Sequence, residues 1–249
     1  MIKFFRHIRK SLLMENKTGK YFKYAIGEIV LVVIGILIAL SINNWNENRK
    51  DETRRKLLLN NLKIDLEQDL RRLATIDDFL EDRKNYSKLI LGYLRQPPSQ
   101  IDSIKTFLAI ERSGYTHTFN PPMPTYTEMQ GSGDLSLLNS EALKNALAYY
   151  KVFIETNSKI EKANSDVIKE YSKFILEYVD EDYGYLNIRD TVASSYKGLR
   201  FDLNEISHDK SIILLLKNVY NKSIVEQRYK RELLKPRIIN LIKLIDEQE

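Results

Sequence analysis

The longest apolar stretch of the chain covers residues 29–40, which include no polar side chain. With its flanks, residues 24–43, it is about 20 residues long, and a helix of that length spans the roughly 30 Å hydrocarbon core of a bilayer. The stretch is apolar on all sides, whereas a helix in a soluble core usually has a one-sided stripe. The pattern predicts a transmembrane helix over residues 24–45.

The flanks of this stretch have the residue types that anchor a helix at a membrane surface. Lys20 and Lys23 precede it and Trp45 follows it, and basic and aromatic side chains are enriched at these depths. Before them, residues 1–23 are predicted to be a basic, amphipathic segment that suits the headgroups of an anionic leaflet, or else a simple positively charged tail on the cytoplasmic side. We expect membrane lipid to be a partner of the chain.

One face of the predicted span is lined by small residues and one acid. Glu28, Val32, Gly35 and Ala39 follow one another at spacings of three or four. Small residues let two helix backbones approach closely in lipid, so this seam predicts self-association and a homo-oligomer. The Glu28 carboxylate must be protonated, face a partner helix or lie shallow enough to reach water.

Beyond residue 46, apolar residues recur every three or four positions. This helical period continues to Leu94, with an Asn-rich collar at residues 43–48 as the expected break and Pro97 as the stop. It returns over residues 140–179, where Ile160 falls on the predicted inner face. A last helix is expected up to about residue 246, kinked or divided by Pro236. The chain therefore predicts an all-α protein, one transmembrane helix followed by a helical bundle over residues 46–249.

Lysine and arginine are distributed unevenly along the chain. Seven precede Trp45 against two acidic residues, and this excess equals the net charge of +5 of the whole chain. The remaining 32 basic and 32 acidic residues cancel, so the large domain is neutral and we expect no nucleic-acid partner. Five basic residues follow the span, fewer than precede it, which favours a cytoplasmic N-terminus in a bacterial inner membrane and a periplasmic domain.

Recognised catalytic and metal-binding motifs are missing from the sequence. The chain has no cysteine and three widely separated histidines, and it shows no nucleophile elbow, phosphate loop, zinc motif or dinucleotide fingerprint. We expect no enzyme activity, no metal and no cofactor.

Three polar residues are candidate ligand positions. Asn157 and Asn164 lie one heptad apart on the apolar stripe of the predicted helix, where a buried amide can set helix register or contact a ligand. His117 lies in a Pro-rich loop, residues 114–124, that is either a packed surface loop or a ligand-facing one.

The first part of the chain resembles a known family. The sequence YAIGEIVLVVIGILIALSINNWNE, with the basic residues before it, is similar to the N-terminal signature of a family of uncharacterised single-pass membrane proteins of Bacteroidota. A second segment, residues 126–150, resembles a recurring segment of the same family. The resemblance implies an envelope protein with a helical C-terminal domain, and it makes Glu28 part of the family pattern.

These patterns favour a membrane-anchored, self-associating helical scaffold that binds another envelope protein. One alternative is a sensor-like bundle that binds a ligand. A second is an ion-coupled membrane subunit in which Glu28 titrates.

Overall fold

The computed structural model describes residues 18–178 and 202–248. Within these ranges all regular structure is helical and there is no strand, which confirms the all-α prediction. The chain divides into two compact units, Met1–Leu57 and Leu58–Glu249. Most of the amphipathic segment expected at residues 1–23 lies outside the described residues, and the boundaries expected at residues 23 and 45 remain predictions.

The first helix, α1 (Thr18–Arg95), is 78 residues long and continues without interruption through the Asn-rich collar. The break expected there is wrong, because polar side chains of this region bond within the helix. Ser41 Oγ donates to the Leu37 carbonyl oxygen at 2.8 Å, and Asn43 Nδ2 donates to Glu47 Oε1 at 3.0 Å. Such local bonds are compatible with an unbroken backbone ladder. The helix ends just before Pro97, as expected.

In the first unit the apolar side chains of α1 are exposed. Every residue from 29 to 42 is exposed, and Glu28 is partly buried. Among the described helices, α1 is long and apolar enough to cross a membrane by length and composition. No other described helix meets that criterion.

The second unit contains the rest of α1 and the shorter helices. These are α2 (Ser103–Ser113), α3 (Pro124–Ser132), a 3₁₀ turn (Asp134–Leu137), α4 (Glu141–Leu176), α5 (Leu203–His208), α6 (Lys210–Tyr229) and α7 (Lys235–Asp246). The N-caps follow from the sequence: Asp102, Ser140 and Asp209 each accept a hydrogen bond from a backbone N–H of the first turn.

Between α6 and α7 the chain forms a π-helical turn, Lys230–Leu234, in which the Lys235 N–H donates to the Lys230 carbonyl oxygen five residues back. Pro236 lacks an N–H, and in an α-helix its ring would clash with the carbonyl four residues earlier. The wider turn takes up that conflict while the chain stays helical. The expected effect of Pro236 is thus local, a π turn in an otherwise continuous helix.

Two apolar clusters fill the second unit. The first joins the middle of α1 to α3, the start of α4 and α7, and includes Leu66, Leu147 and Leu241. The other joins the end of α1 to α2, the end of α4, α5 and α6, and includes Ile90, Tyr171 and Leu216. The placement of Ile160 on the inner face is wrong, because its side chain is 53% exposed and the adjacent Glu161 is buried instead.

Candidate functional site

A layer of buried polar side chains lies where the two apolar clusters meet. On α1 it falls between Leu80 and Ile90, and on α4 between Ile154 and Ile168. On α6 and the π turn it falls after Val219. Its members are Arg83, Ser87, Ser113, Asn157, Glu161, Ser165, Ser223, Glu226, Gln227 and Lys230, all buried.

The first ion pair of this layer joins α1 to α6. Arg83 Nη2 lies 2.7 Å from Glu226 Oε2, with the Arg83 side chain almost wholly buried. Arg83 Nε donates to Ser223 Oγ at 2.8 Å, and Nη1 donates to the Tyr115 carbonyl oxygen at 3.3 Å. The guanidinium therefore ties two long helices to the Pro-rich loop.

The second ion pair joins the π turn to α4. Lys230 Nζ donates to Glu161 Oε1, and both side chains are at most 4% exposed. Asn157 Nδ2 donates to the same oxygen at 2.9 Å, and the Phe119 N–H donates to Oε2 at 2.7 Å. The Glu161 carboxylate thus accepts hydrogen bonds from one ammonium group, one side-chain amide and one backbone N–H.

The layer is electrically balanced and well satisfied. It buries two cations and two carboxylates, and among the described residues Thr106 Oγ1 is the sole buried side-chain polar atom without a hydrogen-bond partner. Buried ion pairs contribute little net stability but penalise any packing that would separate them. The two ion pairs of the layer thus connect α1 to α6 and the π turn to α4.

The structure separates the three candidate ligand positions. Asn157 is buried in the polar layer on Glu161, and Asn164 Oδ1 accepts from Lys222 Nζ at 2.5 Å. The His117 ring is exposed and stacks on Phe79 at 4.0 Å. Asn157 and the Phe119 N–H of the Pro-rich loop both donate to the Glu161 carboxylate, whereas Asn164 contacts Lys222 instead. A ligand role for these residues remains a prediction.

Three of the four seam residues, Val32, Gly35 and Ala39, have open surroundings, and Glu28 is partly buried. Outside its two chain neighbours and the adjacent backbone of its own helix, no described atom lies within 4 Å of where a Cβ on Gly35 would be placed, and Val32 and Ala39 are exposed. Lys23 and Trp45 are exposed as well, with the Arg49 guanidinium 5.9 Å from the Trp45 ring centroid. For Lys20 the backbone alone is described.

An apolar groove of about 710 Å³ lies between α4 and the segment formed by the π turn and α7. It is lined by Ala146, Tyr149, Tyr150, Val152, Phe153, Thr156, Glu232, Leu233, Pro236, Arg237, Asn240 and Leu241. Its rim is apolar and open to solvent, since Tyr149 is 74% and Val152 58% exposed. Apolar concave surfaces of this size are the usual form of small-molecule sites.

Aromatic and cationic groups meet at this groove. The Arg237 guanidinium carbon lies 4.1 Å from the centroid of Phe153, and the Phe153 ring stacks on Tyr229 at 5.3 Å with an angle of 4°. Burial raises the pKa of Tyr229 to about 12, so its phenol stays neutral. A planar cation over an aromatic face is a favourable arrangement that also holds the side chain in place.

A buried carboxyl lies behind the groove. Tyr150, whose side chain lines it, donates from its hydroxyl to Asp69 Oδ2 at 3.1 Å, and Arg72 Nη1 lies 3.1 Å from the other oxygen. Burial raises the pKa of Asp69 to about 6, against the opposing effect of these two partners. The pKa of this carboxyl thus lies well above the usual value for an aspartate.

Sequence reasoning missed Arg83, Glu161, Lys230 and Arg237. One signal was present for Glu161, because it continues the spacing of three and four from Ile154 through Asn157 better than Ile160 does. Within the described residues no group of three metal-ligating side chains is found.

The chain matches one known protein family over most of its length. The profile described as "Family of unknown function (DUF6090)" matches residues 28–195, about two thirds of its length. The chain belongs to the DUF6090 family. The DUF6090 match includes Glu28, the rest of the seam and all polar-layer residues on α1 and α4, whereas α6 and α7 lie beyond it. No curated protein and no solved structure matches the chain.

Proposed function

We propose that this DUF6090 protein is a single-span anchored, self-associating interaction protein of the bacterial inner membrane. In this proposal residues 24–45 cross the bilayer, the N-terminus is cytoplasmic, and residues 46–249 form a periplasmic helical domain that binds another envelope protein. The chain performs no catalysis of its own and takes no cofactor. The assignment to a bacterial envelope rests on the resemblance of residues 24–47 to the Bacteroidota signature.

One observation carries the proposal, the apolar surface of α1 in the first unit. From residue 29 to 40 every side chain is apolar and exposed, on all sides of the helix. In water such a surface costs about 25 cal/mol for each Å² left uncovered, so lipid or another apolar helix must cover it. Lipid can cover most of this apolar surface, and the small residues Gly35 and Ala39 leave room for a second helix to pack along the seam.

Membrane anchoring is tested by fractionation of cells that express the full-length protein. It should stay in the membrane pellet after alkaline carbonate and enter solution with detergent. A protein that is monodisperse in buffer without detergent would contradict the proposal.

Self-association is tested by disulfide crosslinking, because the natural chain has no cysteine. Val32→Cys and Ala39→Cys place single thiols on the seam, and Leu37→Cys, on the opposite face by helical geometry, is the matched control. We expect dimers from the seam variants and few from the control, and Gly35→Leu should abolish them. Equal crosslinking from both faces would refute the seam.

Orientation is tested with Asn240→Cys, an exposed position on α7. A membrane-impermeant maleimide should label it in cells with a permeabilised outer membrane and an intact inner one. Labelling that requires lysis of the inner membrane would place the domain in the cytoplasm.

Two other functions are distinguishable. A ligand-binding, sensor-like bundle is favoured by the groove beside α4. An ion-coupled subunit would require Glu28, so Glu28→Gln should abolish its activity in cells, whereas the interaction proposal expects the partner of the periplasmic domain to be recovered unchanged.

A further inference from the structure

We propose that the groove between α4 and α7 binds a single-chain anionic amphiphile, with the carboxylate on Arg237 and the alkyl chain along the apolar lining. This goes beyond the anchoring function, and it does not depend on self-association or on which side of the membrane the domain lies. A medium-chain fatty acid has the chemistry required.

The lining suits an alkyl body. Val152, Phe153, Leu233 and Pro236 present apolar surface from both walls, and the Tyr150 ring and Leu241 form the buried side. The polar end of Tyr150 is directed elsewhere, because its hydroxyl donates to Asp69. Burial of an alkyl chain here gains about 0.8 kcal/mol for each methylene.

Arg237 supplies the charge complement. Its Nη1 donates to the Leu233 carbonyl oxygen at 2.9 Å, and no carboxylate in the described part of the chain pairs with it. The two preceding arginines, in contrast, are paired with carboxylates. Arg228 pairs with Glu232 at 2.9 Å and Arg231 pairs with Asp77 at 2.8 Å. Four of the five guanidinium donors of Arg237 thus remain for an anion, in the fork geometry that carboxylates accept.

The acid that lines the groove does not oppose an anion strongly. Glu232 is held by Arg228, and the pKa of Arg228 is raised above its usual value by that hydrogen bond. Apart from Arg237 and the two tyrosines, Thr156 and Asn240 are the other polar side chains of the lining. They add neutral hydrogen-bonding groups to an otherwise apolar wall.

The dimensions favour a small ligand over a second protein. The groove is formed by residues 146–156 and 232–241, about three turns of helix on each side, or roughly 15 Å. Twelve residues line it in total, whereas a stable protein interface uses about 20–30 residues from each partner. Its volume of about 710 Å³ lies in the range of small-molecule sites, roughly 300–1,000 Å³.

The test uses the full-length protein in lipid nanodiscs and decanoate with a terminal photoreactive diazirine. We expect labelled peptides from residues 146–156 and 232–241, and competition by unlabelled decanoate. Decan-1-ol, which lacks the anion, should compete about tenfold less well, since a charge-assisted hydrogen bond contributes on that order.

Two variants separate charge from packing. Arg237→Gln should weaken decanoate competition about tenfold and make decanoate and decan-1-ol equivalent. Lys235→Gln removes one exposed charge from the same helix outside the groove and should change competition less than about twofold. Val152→Trp, which fills the groove, should block labelling while the thermal midpoint is unchanged.

Three outcomes would overturn the proposal. Equal competition by decanoate and decan-1-ol in the natural protein would remove the role of the anion. Labelling confined to residues 24–45 would show partition into lipid alone. Crosslinks between two copies through Val152→Cys that decanoate does not reduce would assign the groove to a second copy of the chain.

Discussion

The two units of this protein place apolar and charged side chains in opposite ways. In the first unit, residues 29–40 are apolar and exposed. In the second, Arg83 and Lys230 are about 1% exposed and face buried carboxylates. Apolar residues are outside in one region, and charges are inside in the other.

The contrast shows that whether an exposed apolar side chain or a buried charge is stable depends on what surrounds it in each region. An apolar exterior is stable where lipid surrounds it, because lipid offers no penalty to apolar surface. A charged interior is stable where every charge has a partner, because an unpaired buried charge costs several kcal/mol. Two kinds of substitution, removal of a charge and truncation of an apolar side chain, separate these conditions.

The largest effect is expected from loss of one partner of the second buried ion pair. Lys230→Met leaves the Glu161 carboxylate buried without its cation, which should destabilise the second unit by about 3–5 kcal/mol. For a domain of this size, that lowers the thermal midpoint by on the order of 10 °C. The measurement is thermal unfolding of the full-length protein in detergent, followed by tyrosine near-UV dichroism.

Two controls accompany this prediction. The double variant Lys230→Met with Glu161→Gln should recover more than half of the loss, because no unpaired charge remains. Lys144→Met breaks an exposed pair with Glu141 on the same α4 and should cost less than about 1 kcal/mol. A loss for Lys230→Met as small as for Lys144→Met would show that the layer is hydrated.

The next effect compares one substitution in the two regions. Leu147→Ala removes a side chain that is 0% exposed in the first apolar cluster and should cost about 2–5 kcal/mol through lost burial and a cavity. Leu37→Ala removes a side chain that is 56% exposed in the predicted span. Its effect on unfolding of the second unit should be below about 0.5 kcal/mol. Similar losses would mean that residue 37 packs against the chain itself.

Much of this architecture could be predicted from the sequence. The apolar stretch, the long helices and the caps at Asp102, Ser140 and Asp209 are local features, and local features are what periodicity and capping rules detect. The polar layer as a whole could not be found, because the spacing that places Glu161 on the inner face does not reveal its partner Lys230, which lies far along the chain. The groove was missed for the same reason, since its two walls come from distant segments.

A pH dependence should distinguish the buried acid Asp69 from exposed ones. Burial raises its pKa to about 6 from an unfolded value near 4, so between these values the folded state binds more protons than the unfolded state. Stability must then fall as pH rises from about 4 to 6, by up to about 3 kcal/mol. Asp69→Asn should flatten this slope while Tyr150 keeps a hydrogen-bond acceptor.

The measurement is the difference in unfolding free energy between the natural protein and Asp69→Asn at several pH values. Glu81→Gln is the opposite control, because hydrogen bonds from Lys84 and Gln227 lower the pKa of Glu81 to about 2. Its stabilising effect is therefore present above about pH 4.5 and is lost as pH falls towards 2. If both variants had the same slope between pH 4 and 6, the assignment of that slope to Asp69 would be wrong.

The smallest effect is expected at the start of α4, where Ser140 Oγ accepts from the Leu143 N–H at 3.1 Å. Ser140→Ala removes that acceptor and should cost about 1 kcal/mol, whereas Ser140→Asp keeps it and should be near neutral. Unfolding in detergent measures both. Helix α4 contributes both to the polar layer and to one wall of the groove. Fraying of its first turn should leave Glu161 unaffected, because Glu161 lies about five turns further along the helix. Loss of decanoate labelling at residues 146–156 in Ser140→Ala would show instead that the cap and the groove are one cooperative unit.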